Sequence, residues 1–207
     1  MVTKSVVEMK ITSLKQQIKN PERVSLFVDE RYSFSLSLDQ IVEHKLKKGL
    51  ELNEADIKRY KKISDDGKLK ARALEWVLGR PHSTREFKDY MYRKKADPEL
   101  TEKLIVEFSI RKYLDDESYA KWLIEMRGRA NKSCKAIRAE LFKKGIDREV
   151  VGELMDTNVD EVDRLREVIA KKSQLSRYKN DKLKLKRYLV GQGFSYDSVS
   201  EALKILN

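Results

Sequence analysis

The stretch "SCKAIRAELFKKG", residues 133–145, decides the fold. Ser133 is a helix N-cap residue, Ile137 and Leu141 share one face four residues apart, and Gly145 supplies the stop. The same design recurs on both sides. "STREFKDYMYRKK" begins at Ser83 and sets Phe87 and Met91 at the same offsets, with Glu86 completing a capping box. "DKLKLKRYLVGQG" begins at Asp181 and sets Leu185 and Leu189 likewise.

The correspondence runs past the helix ends. Gly145 and Gly193 stand at the same distance from their caps, and Lys95 occupies that place in the earliest copy. Ile146, Val151 and Met155 answer to Phe194, Val199 and Leu203, and in the earliest copy to Ala96, Thr101 and Ile105. Each of these helix pairs follows a further helix. The spacing predicts three tandem three-helix repeats of about 48 residues, stacked as an elongated curved array. The expected divisions are 53–112, 113–158 and 159–207.

Residues 1–52 read as a β-rich region with a short helix. Val24, Leu26 and Val28, then Tyr32, Phe34, Leu36 and Leu38, alternate with polar residues around a turn at Asp29-Glu30-Arg31. Leu14 and Ile18 fit a third strand. Ser37 and Gln40 form a capping box for a short helix that Gly49 is expected to end. Asn53 caps the next helix. Its stripe of Ile57, Tyr60, Ser64, Gly67, Ala71, Leu74 and Leu78 predicts a single long segment, with Gly67 a point of bending.

Lys and Arg total 45 against 34 Asp and Glu, a formal charge of +11, which favours a polyanionic partner. The surplus is uneven. Residues 171–188 carry eight basic side chains and one acid, and residues 118–145 eight and two, whereas 146–167 carry eight acids and three bases. Basic stripes therefore recur on the second helix of the later repeats, with Tyr178 and Tyr188 interleaved.

Other chemistries find little support. Cys134 is the single cysteine, so no internal disulfide can form and a reducing cytoplasm is the expected setting. Neither a signal-peptide run nor a membrane span is expected. His44 and His82 are too far from each other and from Cys134 for a zinc site, and no phosphate-cradling glycine loop occurs. No metal, cofactor or catalytic residue is expected. Trp76 and Trp122 lie on helix stripes and are assigned to the core, and His82 to a loop or cap. The paired acids Asp115 and Asp116 in "KYLDDESYAKWL", residues 112–123, are read as the N-cap and first turn of a helix whose buried stripe is Tyr119, Trp122, Leu123 and Met126.

That stretch carries a resemblance. "YLDDESYAKWL", followed by Arg127 and by "IRAELFKKGI", resembles the central signature of the RecX family of recombinase regulators. In that family an aromatic-Leu-Asp-Asp run opens the second of three helical repeats. "RPHSTREFKDYM" in the first repeat and "GQGFSYDSVSEAL" in the third match as well. Lys112 replaces the glycine usual before "YLDD", Ser133 stands where a further glycine would, and the "DER" turn lacks one. The resemblance implies a non-enzymatic regulator of the RecA recombinase in homologous recombination, DNA repair and the SOS response. Such a protein lies in the groove of the RecA–single-stranded DNA filament and curbs ATP hydrolysis, strand exchange and filament growth. Expected partners are RecA and single-stranded DNA, with double-stranded DNA secondary, and a monomer is expected.

Candidate contact residues are the basic side chains Arg127, Arg129, Lys132, Lys135, Arg138, Lys182, Lys186 and Arg187. A rival reading is a stand-alone helical-repeat DNA-binding protein that needs no RecA. A hydrolase built on Asp115 and Asp116 is the third class.

Overall fold

The computed structural model describes residues 8–155 and 161–205. Two compact units divide them. One runs to Trp76 and includes Ala96–Leu100, and the other comprises Val77–Lys95 and the residues from Thr101 onward. The expected repeat boundary after residue 158 lies outside the described residues.

In the first unit, β1 (Met9–Gln16), β2 (Arg23–Val28), β3 (Arg31–Ser37) and β4 (Glu51–Leu52) form an antiparallel sheet ordered β3-β2-β1-β4. The two-residue strand β4 carries no periodic signal and was not expected. Ile18 lies beyond β1 and is exposed, so Ile11 rather than Ile18 supplies the core side chain of that strand. Ile11, Leu26, Phe34 and Leu36 are buried with Leu52.

The β2–β3 turn holds Asp29 and Glu30 at φ +45° and +65°, the conformation of a two-residue hairpin turn that normally favours glycine. The neighbouring strand holds it there. Asp29 Oδ1 accepts from the Lys10 amide at 3.0 Å, and Thr12 Oγ1 accepts from the Glu30 amide at 2.9 Å. The simple alternation expected for β3 fails at two places. A register shift at the Leu26–Phe27 step leaves Tyr32 exposed rather than inward, and Ser35 is buried, its N–H donating to Ser64 Oγ in the helix spanning residues 54–78.

The short helix α1 (Leu38–Glu43) has the expected capping box. It ends at His44, with Lys45 left-handed, and not at Gly49, which turns the chain into β4. The long helix α2 (Glu54–Leu78) is uninterrupted through Gly67. Ile57, Tyr60 and Ser64 are buried as expected, and Phe34 stacks on Tyr60. Beyond them the buried positions are Ala73 and Val77, while Ala71 and Leu78 are exposed. At about 100° per residue, the buried face has turned by roughly half a circle between Ser64 and Ala73.

The remaining helices are α3 (Thr84–Arg93), α4 (Pro98–Ile110), α5 (Asp116–Arg129), α6 (Cys134–Lys143), α7 (Arg148–Met155), α8 (Glu161–Ser173), α9 (Ser176–Lys179), α10 (Lys182–Gly191) and α11 (Tyr196–Ile205). The short α9, which buries Tyr178, was not expected.

The predicted register of α3, α6 and α10 is present in atomic detail. Ser83, Ser133 and Asp181 each accept the backbone N–H three residues on, at 3.1, 3.0 and 2.9 Å. Phe87 and Met91, Ile137 and Leu141, and Leu185 and Leu189 are all buried. Lys95, Gly145 and Gly193 are all left-handed, at φ +55°, +80° and +100°.

Candidate functional site

The recurring helices of the second unit are joined by contacts that recur as well. Asp115 caps α5, its Oδ1 accepting from the Glu117 and Ser118 amides. Asp116, expected only to suit the helix dipole, reaches elsewhere: its Oδ1 accepts from the Thr84 amide at the start of α3, at 2.7 Å. One repeat later, Glu161 Oε2 accepts from the Cys134 amide at the start of α6, at 2.9 Å. A carboxylate in the first turn of α5 or α8 thus binds the first helical amide of the preceding α3 or α6.

The glycines make the second recurring contact. A Cβ on Gly145 would lie 3.2 Å from Arg85 Cβ at the start of α3, and one on Gly193 only 2.6 Å from Ala136 Cβ and 2.7 Å from Ser133 Oγ at the start of α6. The Ser133 amide donates to the Gln192 carbonyl there. The end of α10 therefore meets the beginning of α6, and the end of α6 meets the beginning of α3.

Glu86 is the polar centre of the earlier junction. Its side chain is 12% exposed, and Lys144 Nζ donates to Oε1 at 2.6 Å while Arg80 Nη1 donates to Oε2 at 3.0 Å. His82 Nδ1 lies 3.1 Å from Oε2, and the Tyr119 hydroxyl donates to Oε1 at 3.4 Å. Burial pushes the Glu86 carboxyl up, but the Lys144 and Arg80 hydrogen bonds and charges overcome it and hold the pKa at about 2. Burial and then the Glu86 charge push the Tyr119 hydroxyl above its usual range. The capping box expected at Ser83 is thus half made: Ser83 accepts from the Glu86 amide, but the carboxylate turns to these four partners. Beside the junction, a cavity of about 260 Å³ is lined by Arg80, His82, Tyr113 and Asp115, among others.

The eight candidate cations fall into distinct settings. Arg127 grips Glu140 through both Nε and Nη2, at 2.7 and 2.6 Å. That contact lowers the Glu140 carboxyl and raises Arg127. Arg129 pairs with Glu125 on an exposed face. Lys132 Nζ reaches the Gly191 carbonyl at 3.4 Å, tying the α5–α6 connection to the end of α10. Lys135 and Arg138 lie on α6 and Arg187 on α10, and none of the three makes an ion pair among the described residues. Lys182 opens α10, and Lys186 lies over the Tyr196 ring at 3.6 Å.

Other singled-out residues have structural roles. His82 is buried against Glu86. Trp122 is half-buried, with the Arg80 guanidinium 4.9 Å above its ring, and Trp76 is half-buried too. Cys134 stands in the first turn of α6, where burial, followed by the Glu161 carboxylate, pushes its thiol up. Among the described residues no group of three or more His, Cys, Asp or Glu gathers to hold a metal, and no helix is long and apolar enough to cross a membrane.

Sequence comparison adds the family. Residues 9–53 match the regulatory protein RecX N-terminal domain, and residues 115–155 the second three-helix domain of RecX. The chain is 35% identical over 201 residues to the regulatory protein RecX of Bacillus licheniformis, covering 94% of this chain and 76% of that protein. It is 33% identical to that of Clostridium acetobutylicum, covering 95% and 96%. A crystal structure of regulatory protein RecX superposes with a TM-score of 0.67 at 20% identity, over 95% of this chain and 99% of the other. RecX from Lactobacillus salivarius gives 0.53 at 23%, over 69% and 96%. A sheet-bearing start, three copies of one helix register and this similarity along nearly the whole chain make it a member of the RecX family.

Proposed function

We propose that this protein is a non-enzymatic regulator of the RecA recombinase that binds the RecA–single-stranded DNA filament and inhibits its ATPase and strand exchange. The observation that carries this reading is membership of a family whose named relatives are regulatory proteins, over 95% of this chain and 96% of one relative. The charge supports it: a chain of formal charge +11 suits a polymer rich in phosphate. The helical part is read as three repeats at 53–112, 113–158 and 159–207, following a β-rich region at 1–52. A modular array offers a long surface without a closed pocket, and such a surface can bridge successive protomers of a filament.

Within the candidate set, Lys132, Lys135, Arg138, Lys182, Lys186 and Arg187 supply contacts to DNA or to acidic recombinase surfaces. Arg127 and Arg129 join them at the end of α5, Arg127 also fixing Glu140. The carboxylates are occupied in ways that support a non-catalytic role, since Asp115 and Asp116 each accept from backbone amides. Electron microscopy of RecA–DNA filaments with and without the protein tests the reading. Altered filament length or added density along the groove is expected, and filaments unchanged at saturating protein contradict it.

A further inference from the structure

The repeat register carries a second pattern, on the solvent side. In α3 the positions two, five and nine after the cap are Arg85, Lys88 and Tyr92; in α6 they are Lys135, Arg138 and Phe142. In α10 they are Leu183, Lys186 and Val190. Spacings of three and four put each trio on one helix face, turned away from the buried positions at four and eight. The ninth position is apolar and open in every copy: Tyr92 is 86% exposed, Phe142 41% and Val190 39%. An exposed apolar side chain thus recurs three times at one register position, sharing its face with two cations in α3 and in α6 and with Lys186 in α10, and among the described residues nothing covers it fully.

The junctions set these helices end to start. Arg85 lies along Gly145 at the end of α6, and Lys132 bonds Gly191 at the end of α10. Equivalent points on successive repeats are therefore separated by the run from Lys135 to Gly145, which spans ~15 Å at a helical rise of about 1.5 Å per residue. That is the length of roughly four nucleotides of one strand at about 3.4 Å each, or fewer if the strand is stretched.

We infer that this face, including the Arg85–Lys88–Tyr92 trio at the start of the array, is a track for a single nucleic-acid strand. The cations meet phosphates at a repeat of a few nucleotides, and the exposed rings of Tyr92 and Phe142 stack on bases. Charge complementarity selects the occupant. Arg85, Lys135 and Arg138 make no ion pair among the described residues, and Lys88 is held only by a surface pair with Glu102, 51% and 62% exposed, that phosphate can displace. An aromatic side chain beside cations is the arrangement that binds unpaired bases without sequence preference. The inference rests on the filament-regulator reading for the source of the strand and extends the binding surface into a repeat that the basic stripes of the sequence did not mark.

The test uses the full chain and a fluorescent oligothymidylate of about 20 nucleotides, long enough to pass three repeats at roughly four nucleotides each. Anisotropy titrations over a range of salt are run beside the RecA ATPase assay. Y92A is expected to weaken oligonucleotide binding about fivefold or more and Y92F to retain it, because stacking needs only the ring. R85Q with K88Q is expected to flatten the slope of log affinity against log salt by about 0.7 for each phosphate no longer neutralised. All these side chains are exposed, and unchanged melting temperatures confirm intact folding. Wild-type binding that none of these variants alters overturns the track, as does absence of oligonucleotide binding, while wild-type inhibition of RecA leaves the regulator reading standing. Variants that lose RecA inhibition but bind oligonucleotide normally also overturn it, because the face then meets protein. Variants that weaken strand binding in a chain that does not inhibit RecA uphold the track and remove the regulator reading.

Discussion

The carboxylate of Asp116 accepts the backbone N–H of Thr84 at 2.7 Å across 32 residues of sequence, and Glu161 accepts that of Cys134 across 27. The first amides of a helix have no partner within it and carry the positive end of its dipole. Each carboxylate meets that need in the preceding helix triplet while standing in the first turn of its own helix. The adjacent acids of "YLDD" therefore divide the work: Asp115 serves its own helix, and Asp116 the previous one.

Replacing them separates the two roles. D116A is expected to cost about 1.5–3 kcal/mol, the range for a hydrogen bond to a charged group. D115A should cost about 1 kcal/mol by removing the cap. D116N keeps an acceptor and should lie between wild type and D116A. Urea denaturation followed by circular dichroism measures all three, and a D116A chain as stable as wild type refutes the junction's role.

Glu86 predicts an acid-dependent stability. Its carboxyl titrates near 2 when folded against a usual 4.5, so between those values the unfolded chain binds the extra proton. Stability from this group is complete above about pH 4.5 and declines as pH falls toward 2. E86Q should cost roughly 2 kcal/mol at pH 7 and lose less than wild type between pH 4.5 and 2. Lys144 and Arg80 are each about a third exposed, so water recovers part of the loss. Parallel declines for the two chains over that window would contradict the assignment.

The left-handed positions form a graded series. K112G and K95G should each stabilise by about 0.5–1 kcal/mol, since both residues sit at φ near +55° to +60°. G145A meets the flexible stem of Arg85 and should cost ~1–2 kcal/mol, mostly from its backbone conformation. G193A would drive a methyl into Ala136 and Ser133, and should cost more than G145A. Thermal melts rank the four, and G193A tolerated as well as G145A would contradict a close α10–α6 contact at Gly193.

Much of this was legible in the chain because helix registers write themselves locally. Caps, stripes and stop positions fall within thirteen residues, so Ser83, Ser133 and Asp181 mark three copies in the sequence itself. The junctions were not legible. The Lys144–Glu86 pair spans 58 residues and Thr84–Asp116 spans 32, and neither leaves a periodic trace. Glu86 looked like a capping residue because its spacing from Ser83 is that of a capping box, and only the fold supplied its stronger partners. Strand β4 is two residues long, too short for any alternation to appear. Among the cations, sequence could group Arg127 with Lys135, but it could not reveal that Glu140 already holds Arg127.

That last distinction is measurable. R127A should lower stability by about 1 kcal/mol through the broken fork with Glu140. K135Q with R138Q should leave stability within about 0.5 kcal/mol of wild type but reduce the salt slope of oligonucleotide binding by about 0.7 for each phosphate no longer neutralised. Equal effects of both changes on stability would erase the distinction.

The most direct measurement is the ATPase of preassembled RecA–single-stranded DNA filaments titrated with this protein. Regulation of the filament predicts inhibition with the protein far below RecA in amount, on filaments already formed. Inhibition only when the protein is added before RecA, and in amounts that saturate the bare strand, would show simple competition for DNA and contradict the account.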